Sequence, residues 1–481
     1  MGFMGKKSVL LCLLLSLCLL LSVTFVDVSF FVSGAPDTVV SNETELRNAI
    51  NNAQAGKSVV IALNQDITLT ESTLTIPVNK DITLTSNKES ELYKLIGTSY
   101  NEYGVIVGGS SVSTITVDSN GALKLDGISV THTDTRLGYV ITVNENGKLI
   151  LYNGLISSNI GGVYNIGTFL MQGGEISNNF ALNGGGVRNR GIFRMVGGVI
   201  SGNSAGNDGG GVYNEATFEM SGGEISGNSG AIGGGIYNWG GAVVGNDQHG
   251  GSFTLSGGLI SSNNAWRGGG VGNHGILVMS GGEISNNNAT VNGGGVTNGQ
   301  LITRATFEMS GGKILGNTAE KGGGVYNFFN STASLSGTGV ISNNNAATFG
   351  GGICTDGTFT LVEGMILDNS AYIGGGVYVG NGDTTVIGGK VAGNTAKEGK
   401  NVYNENGNLT ISSEEIIEDT LTIDGVMTIC AVVIVLVVCV VAVLFFRAKR
   451  SKTRPSIKPI LTKNAQNSIS HLEPTPLLLF I

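Results

Sequence analysis

The 481-residue sequence predicts an all-β fold, a right-handed parallel β-helix solenoid with coils of about 24 residues, joined to one C-terminal transmembrane α-helix. Three observations carry the solenoid. A phrase recurs from Gly161 to Asn404: at Gly209 it reads GGGVYNEATFEMSGGEISGN, and from Gly233 it returns as GGGIYN followed, after an interruption, by FTLSGGLISSN. The Val or Ile behind the glycines falls at Val163, Val187, Val212, Ile236, Val271, Val296, Val325, Ile353, Val377 and Val402, the spacing of one unit stacked on copies of itself. Within each unit, polar and apolar residues alternate in Val212-Tyr213-Asn214, Thr217-Phe218-Glu219-Met220 and Glu224-Ile225-Ser226, and a period of two belongs to strands.

Glycine doublets and triplets separate these runs, where the chain must turn sharply. Three short strands and three turns fit one repeat, so each unit is one coil. Its inward side chains are a Val or Ile, a Phe, a Met or Leu and an Ile, too few to form a core alone. Stacked about 4.8 Å apart they make a continuous apolar column. Leucine-rich repeats need a Leu frame that is missing, propeller blades need longer units, and the glycine load excludes helical repeats. An Asn follows each Ile strand, at Asn179, Asn203, Asn228, Asn263, Asn287, Asn317, Asn344, Asn369 and Asn394, and predicts a ladder of side-chain amides along one turn.

In chain order, Lys6 and Lys7 precede an apolar run that closes on Ser33-Gly34-Ala35, so residues 1–35 read as a secretory signal peptide. Residues 36–150 read as an N-terminal cap followed by irregular first coils. Within them, Asn42 and Glu45 form a capping box for a helix that places Leu46, Ala49, Ile50 and Ala53 on one face, suited to cover the open end of the column. Residues 151–412 hold the glycine-rich coils, with insertions at Trp239–Gly251 and Asn298–Ala305 expected as loops from the turn after the Val strand. Residues 413–425 form a spacer, 426–446 (VMTICAVVIVLVVCVVAVLFF) an uncharged stretch of spanning length, and 447–481 a basic tail. By the positive-inside rule the tail is cytoplasmic, and the N-terminus and coils lie outside a cell membrane crossed once.

Cys12 and Cys18 lie in the first apolar run and Cys430 and Cys439 in the second, leaving Cys354 alone in the coils. The solenoid is therefore expected to be held by its core and not by disulfides. Cys354 is expected to face outward, open to an intermolecular bridge. The exterior part carries 18 basic and 33 acidic residues, which argues against a nucleic-acid partner.

Catalytic machinery is not evident. Acid–base cleavage of a glycosidic bond needs two placed carboxyl groups. The positions behind the glycines hold Tyr164, Arg188, Tyr213, Tyr237, Gly272, Thr297, Tyr326, Cys354, Tyr378 and Tyr403, with no carboxylate among them. Glu175, Glu224 and Glu283 recur at one slot, as on a solvated face, and Arg188, Arg190 and Arg194 form a basic spot. His132, His249 and His274 lack ligand spacing, so no metal site and no cofactor are expected. The binding candidates are Tyr164, Tyr213, Tyr237, Tyr326, Tyr378 and Tyr403: with Val pointing in, the next residue points out. The column reads either as an aromatic ladder that stabilises the sheet or as a flat surface for sugar rings or a protein partner. Glycosylation sequons begin at Asn42, Asn288, Asn330 and Asn408.

With GGGVYN, TFEMSGG and GGEISGN in view, residues 150–404 resemble the adhesin-like, polymorphic outer-membrane-protein type of right-handed β-helix repeat, a pectate-lyase-like superfold found on microbial surfaces. The resemblance implies a non-enzymatic, single-pass cell-surface rod that attaches to cells, glycans or a surface layer. The same scaffold also carries polysaccharide lyases and hydrolases, the enzymatic alternative, and a plain structural spacer is a third reading. Where bacterial members of that family end in a β-barrel or a sorting signal, this sequence has the apolar stretch and basic tail.

Overall fold

In the computed structural model, the described residues run from 35 to 412, with 417–418, apart from 72, 89–90, 99–112, 134–137, 159, 242, 245–246, 249 and 301–302. Side chains within 242–249 and 417–418 are likewise not described. The expected signal peptide, 1–35, lies outside the described residues except for its last residue, and so do 413–416 of the expected spacer and all of 419–481, including 426–446 and the basic tail.

Parallel coils stack as the alternation predicts. The Val-Tyr-Asn strands and their counterparts form a 13-stranded parallel sheet from Leu74–Ile76 to Val402–Asn404. Register is kept from coil to coil, so that Val212 pairs with Ile236, Tyr213 with Tyr237 and Asn214 with Asn238. A 27-stranded sheet holds the Thr217–Met220 and Glu224–Ser226 types together. Two early strands, Ala122–His132 and Lys148–Ser157, run unbroken across both positions. From Thr168 onward a glycine doublet divides that strand in two; Gly174, at φ +71°, supplies the turn.

The core is one column. Phe169, Phe193, Phe218 and Phe253 stack ring on ring at 4.6–4.8 Å, flanked by Val212, Met220 and Ile225, each at most 1 % exposed. In the glycine triplet, Gly209 turns at φ +68°, and a Cβ on Gly211 would lie 2.6 Å from the Gly235 carbonyl oxygen of the next coil. No other residue lets the coils approach so closely at that corner.

Helix α1, Glu43–Asn52, covers the first coil as expected. The Asn42 side chain accepts from the Glu45 N–H, and Glu45 accepts from the Ser41 N–H at 2.8 Å. Leu46 and Ile50 are buried in the column.

Two expectations change. Each central coil has four strands: a seven-stranded parallel sheet runs from Phe180–Ala181 to Asn345–Phe349, between the Ile strand and the glycines. These segments were hidden because they bury only a small residue, such as Ala265 or Ala289. The expected transmembrane helix is also withdrawn. Among the described residues no helix is long and apolar enough to cross a membrane; α1, with ten residues, is about 15 Å long, half the hydrocarbon thickness.

Both insertions leave the turn after the Val strand. The first forms a small antiparallel hairpin, Val243–Val244 with Asp247–Gln248, and the second closes on a bridge between Gln300 and Thr303.

Candidate functional site

Alternation in the 13-stranded sheet sends Val inward, the next residue outward and Asn inward. The predicted tyrosines therefore do share one outer column, but they are not an open surface. Tyr213, Tyr237, Tyr326 and Tyr378 are only 5–9 % exposed, while Tyr164 and Tyr403 are half-buried. The cover comes from the chain leading into each glycine triplet. Phe349 stacks on Tyr378 at 4.6 Å, Ile373 packs beside it, and Ile232 reaches Gly272 next to Tyr237. The column is thus a second small core. Cys354 lies within it, a free thiol 2 % exposed whose pKa burial pushes well above the usual value, so the expected surface position for an intermolecular bridge is corrected.

Three of the four buried phenols meet a polar partner. Tyr326 Oη donates to Asp356 Oδ2 at 2.5 Å, Tyr378 Oη to Glu405 Oε2, and Tyr237 Oη lies 2.8 Å from His274 Nδ1. Burial raises the Tyr237, Tyr326 and Tyr378 hydroxyls above the ordinary tyrosine range and pushes Tyr213 up to about 12, so these groups stay protonated. His274 moves the other way: burial, with the Arg267 charge, lowers it to about 4. A depressed histidine leaves stability intact above the unfolded value near 6.5 and removes it as pH falls toward 4, because only the unfolded chain binds the proton in that window. A thermal-melting series from pH 7 to 4 should show about 3 kcal/mol of acid sensitivity in the wild type that is missing from His274→Gln.

Each arginine of the basic spot is paired with a carboxylate. Arg188 lies between the Tyr164 and Tyr213 rings, 5.6 Å from each, and meets Glu215 at 2.6 Å. Arg190 reaches the same carboxylate at 2.7 Å, and Arg194 pairs with Glu219 at 2.7 Å. Glu175, Glu224 and Glu283 do share a column, but Val199 and Leu259 separate them, so no two are on adjacent coils. Among the described residues no group of His, Cys, Asp and Glu is arranged to hold a metal ion.

Two amide ladders run inside the rod, where one was expected. In the expected ladder, Asn228 Nδ2 donates to Asn263 Oδ1 at 3.0 Å and to the Ile200 carbonyl at 2.9 Å, and the pattern repeats to Asn394 and Asn401. The second joins Asn165, Asn189, Asn214, Asn238, Asn273, Asn298 and Asn327 by bonds of 2.7–2.8 Å and ends on Thr355 Oγ1. Its signal was present in the VYN phrase, since a residue two after an inward Val also points inward. Every amide donates toward the next coil, so the first carbonyl of each ladder, on Asn179 and Asn165, has no donor.

The sequons differ in their surroundings. Asn42 caps α1, Asn288 Nδ2 donates to Asn264 Oδ1, and Asn408 Nδ2 donates to Asp383 Oδ1. Asn330 sits exposed in a turn at φ +62°.

Sequence reasoning missed the seven-stranded sheet, and with it an outer face. Its outward positions carry a row of exposed polar groups in which Asn288 bonds Asn264 and Thr318 bonds Asn288, each at 2.8 Å. Among them stand Phe180, 43 % exposed, and Trp266, 47 % exposed; Tyr372, 52 % exposed, continues the face one coil beyond its last strand. A rigid surface that presents separated aromatic rings among amides and hydroxyls can stack on apolar ring faces and hydrogen-bond to their edges.

Compared with models of protein families, with curated proteins and with solved structures, the chain matches none.

Proposed function

We propose that this chain is a non-enzymatic, adhesin-like rod displayed outside the cell, which attaches to glycans through a lateral face. The observation that carries the reading is the outer face of the seven-stranded sheet, where Phe180 and Trp266 stand open on a framework fixed from within by the Phe stack and the amide ladders. Burial of such rings would be favourable, and a rod that holds them apart and rigid loses little ordering entropy when a partner binds. The basic, apolar N-terminus supports export.

The test is a polysaccharide panel incubated with the full chain, with binding measured by surface plasmon resonance and polymer length by size-exclusion chromatography. Saturable binding with unchanged polymer length is expected. Shortened polymer would replace the attachment reading with an enzymatic one, and lack of binding to every polymer would leave a spacer.

A further inference from the structure

The geometry points to a binding site for an anionic glycan, centred on Trp266 and Arg267 with Asn292 and Lys321 beside them; this inference rests on the attachment reading above. Register places Ile232, Arg267, Asn292, Lys321 and Phe349 in one column along the edge of the seven-stranded sheet that leads into the glycine triplets. Trp266 stands next to this column on the outward face. The Arg267 guanidinium stacks on the indole with 4.0 Å to the ring centroid and lies 5.4 Å from the Phe328 ring. The guanidinium thus covers one face of the indole, and nearly half of Trp266 remains open to solvent.

Arg267 differs from four other arginines of the coils and cap. Arg47, Arg188, Arg190 and Arg194 each meet a glutamate within 4 Å. Arg267 meets none among the described residues, and its buried Nε has no hydrogen-bond partner. Lys321 likewise forms no ion pair among the described residues and lies against Phe349, 5.4 Å from the ring centroid. Between these two cations, Asn292 is 5 % exposed and its Oδ1 has no donor. Across an exterior with an acidic excess, two half-buried cations without counter-ions flank an acceptor that can take a hydroxyl proton. Burial lowers the Arg267 pKa below its ordinary value, the direction expected of a cation short of a partner.

An anionic sugar satisfies these groups together. Its apolar ring face lies on Trp266, its carboxylate or sulfate takes charge-assisted hydrogen bonds from the guanidinium, and a ring hydroxyl donates to Asn292. Two coil steps separate Trp266 from Lys321, about 9.6 Å, room for a pair of linked rings. Glu320, exposed on the outward face of the same strand as Lys321, opposes the anion.

Isothermal calorimetry on the full chain tests the site with three oligosaccharides: hyaluronate, which carries carboxylates; heparin, which carries sulfates as well; and neutral dextran. Binding of the anionic probes, weakened by salt, is expected, with dextran inert; the tighter of the two tells which anion the site prefers. Trp266→Ala and Arg267→Gln should each weaken binding by about tenfold or more, and Glu320→Gln should strengthen it. Since Trp266 is exposed, an unchanged melting temperature confirms that its variant is folded. Dextran binding as tightly as the anionic probes, or folded variants that bind as the wild type does, would overturn the site while leaving attachment intact. A wild-type chain that binds none of the three, yet binds another polysaccharide in the panel, also sinks this site alone; one that binds no glycan at all sinks both.

Discussion

Asn263→Ala should lower the melting temperature by about 5 °C, the equivalent of about 4 kcal/mol over a folded unit of this size. Asn263 Oδ1 accepts from both the backbone N–H and the Nδ2 of Asn228, at 2.9 and 3.0 Å, while its own Nδ2 donates to Ile225 O and Asn287 Oδ1. Alanine removes the partner of two Asn228 donors and of the Ile225 carbonyl at the dry centre of the rod, while Asn287 Oδ1 keeps only the Asn263 N–H, and each buried orphan costs about 1–3 kcal/mol. The neighbouring residue is the control. Asn264 lies on the outer surface, where water replaces the bond it accepts from Asn288, so Asn264→Ala should stay within about 0.5 kcal/mol. Melting followed by circular dichroism decides between them; equal effects from the two variants would mean that the ladder adds nothing to stability.

Phe218→Ala should cost about 3–5 kcal/mol. The ring is stacked between Phe193 at 4.6 Å and Phe253 at 4.8 Å, with no exposure to solvent. Its removal opens a cavity that neighbours held in continuous sheets cannot close. Phe218→Leu should be much milder, about 1 kcal/mol, because the chain itself places Leu277 in this column. Urea unfolding of the two variants should rank wild type, Leu and Ala in falling order, and an alanine variant as stable as the leucine one would show that stacking contributes little.

Much of the interior was legible from local pattern. Asn42 and Glu45 announced α1, the alternation of Thr217 to Met220 announced the Phe column, and the Asn after each Ile announced a ladder. Asn165 and its counterparts could have been found by applying the same alternation one residue further. The seven-stranded sheet had a weaker signal, because Asn264, Ala265 and Trp266 bury only one methyl group and read as a loop.

The outer surface was harder. Alternation says that Tyr213, Tyr237 and Tyr378 leave the central column, and they do. It does not say what meets them there, and the structure covers them with Ile232, Phe349 and Ile373.

By itself, then, the sequence determined the repeat, the strand faces and the residues that fill the column, because a period of two and a fixed coil register are local properties that stacking merely copies. Tertiary structure alone decided which outward residues remain exposed. That depends on the path of the chain into each glycine triplet, which folds back over the tyrosines, seals Cys354 among them and leaves Trp266 exposed beside the half-buried Arg267.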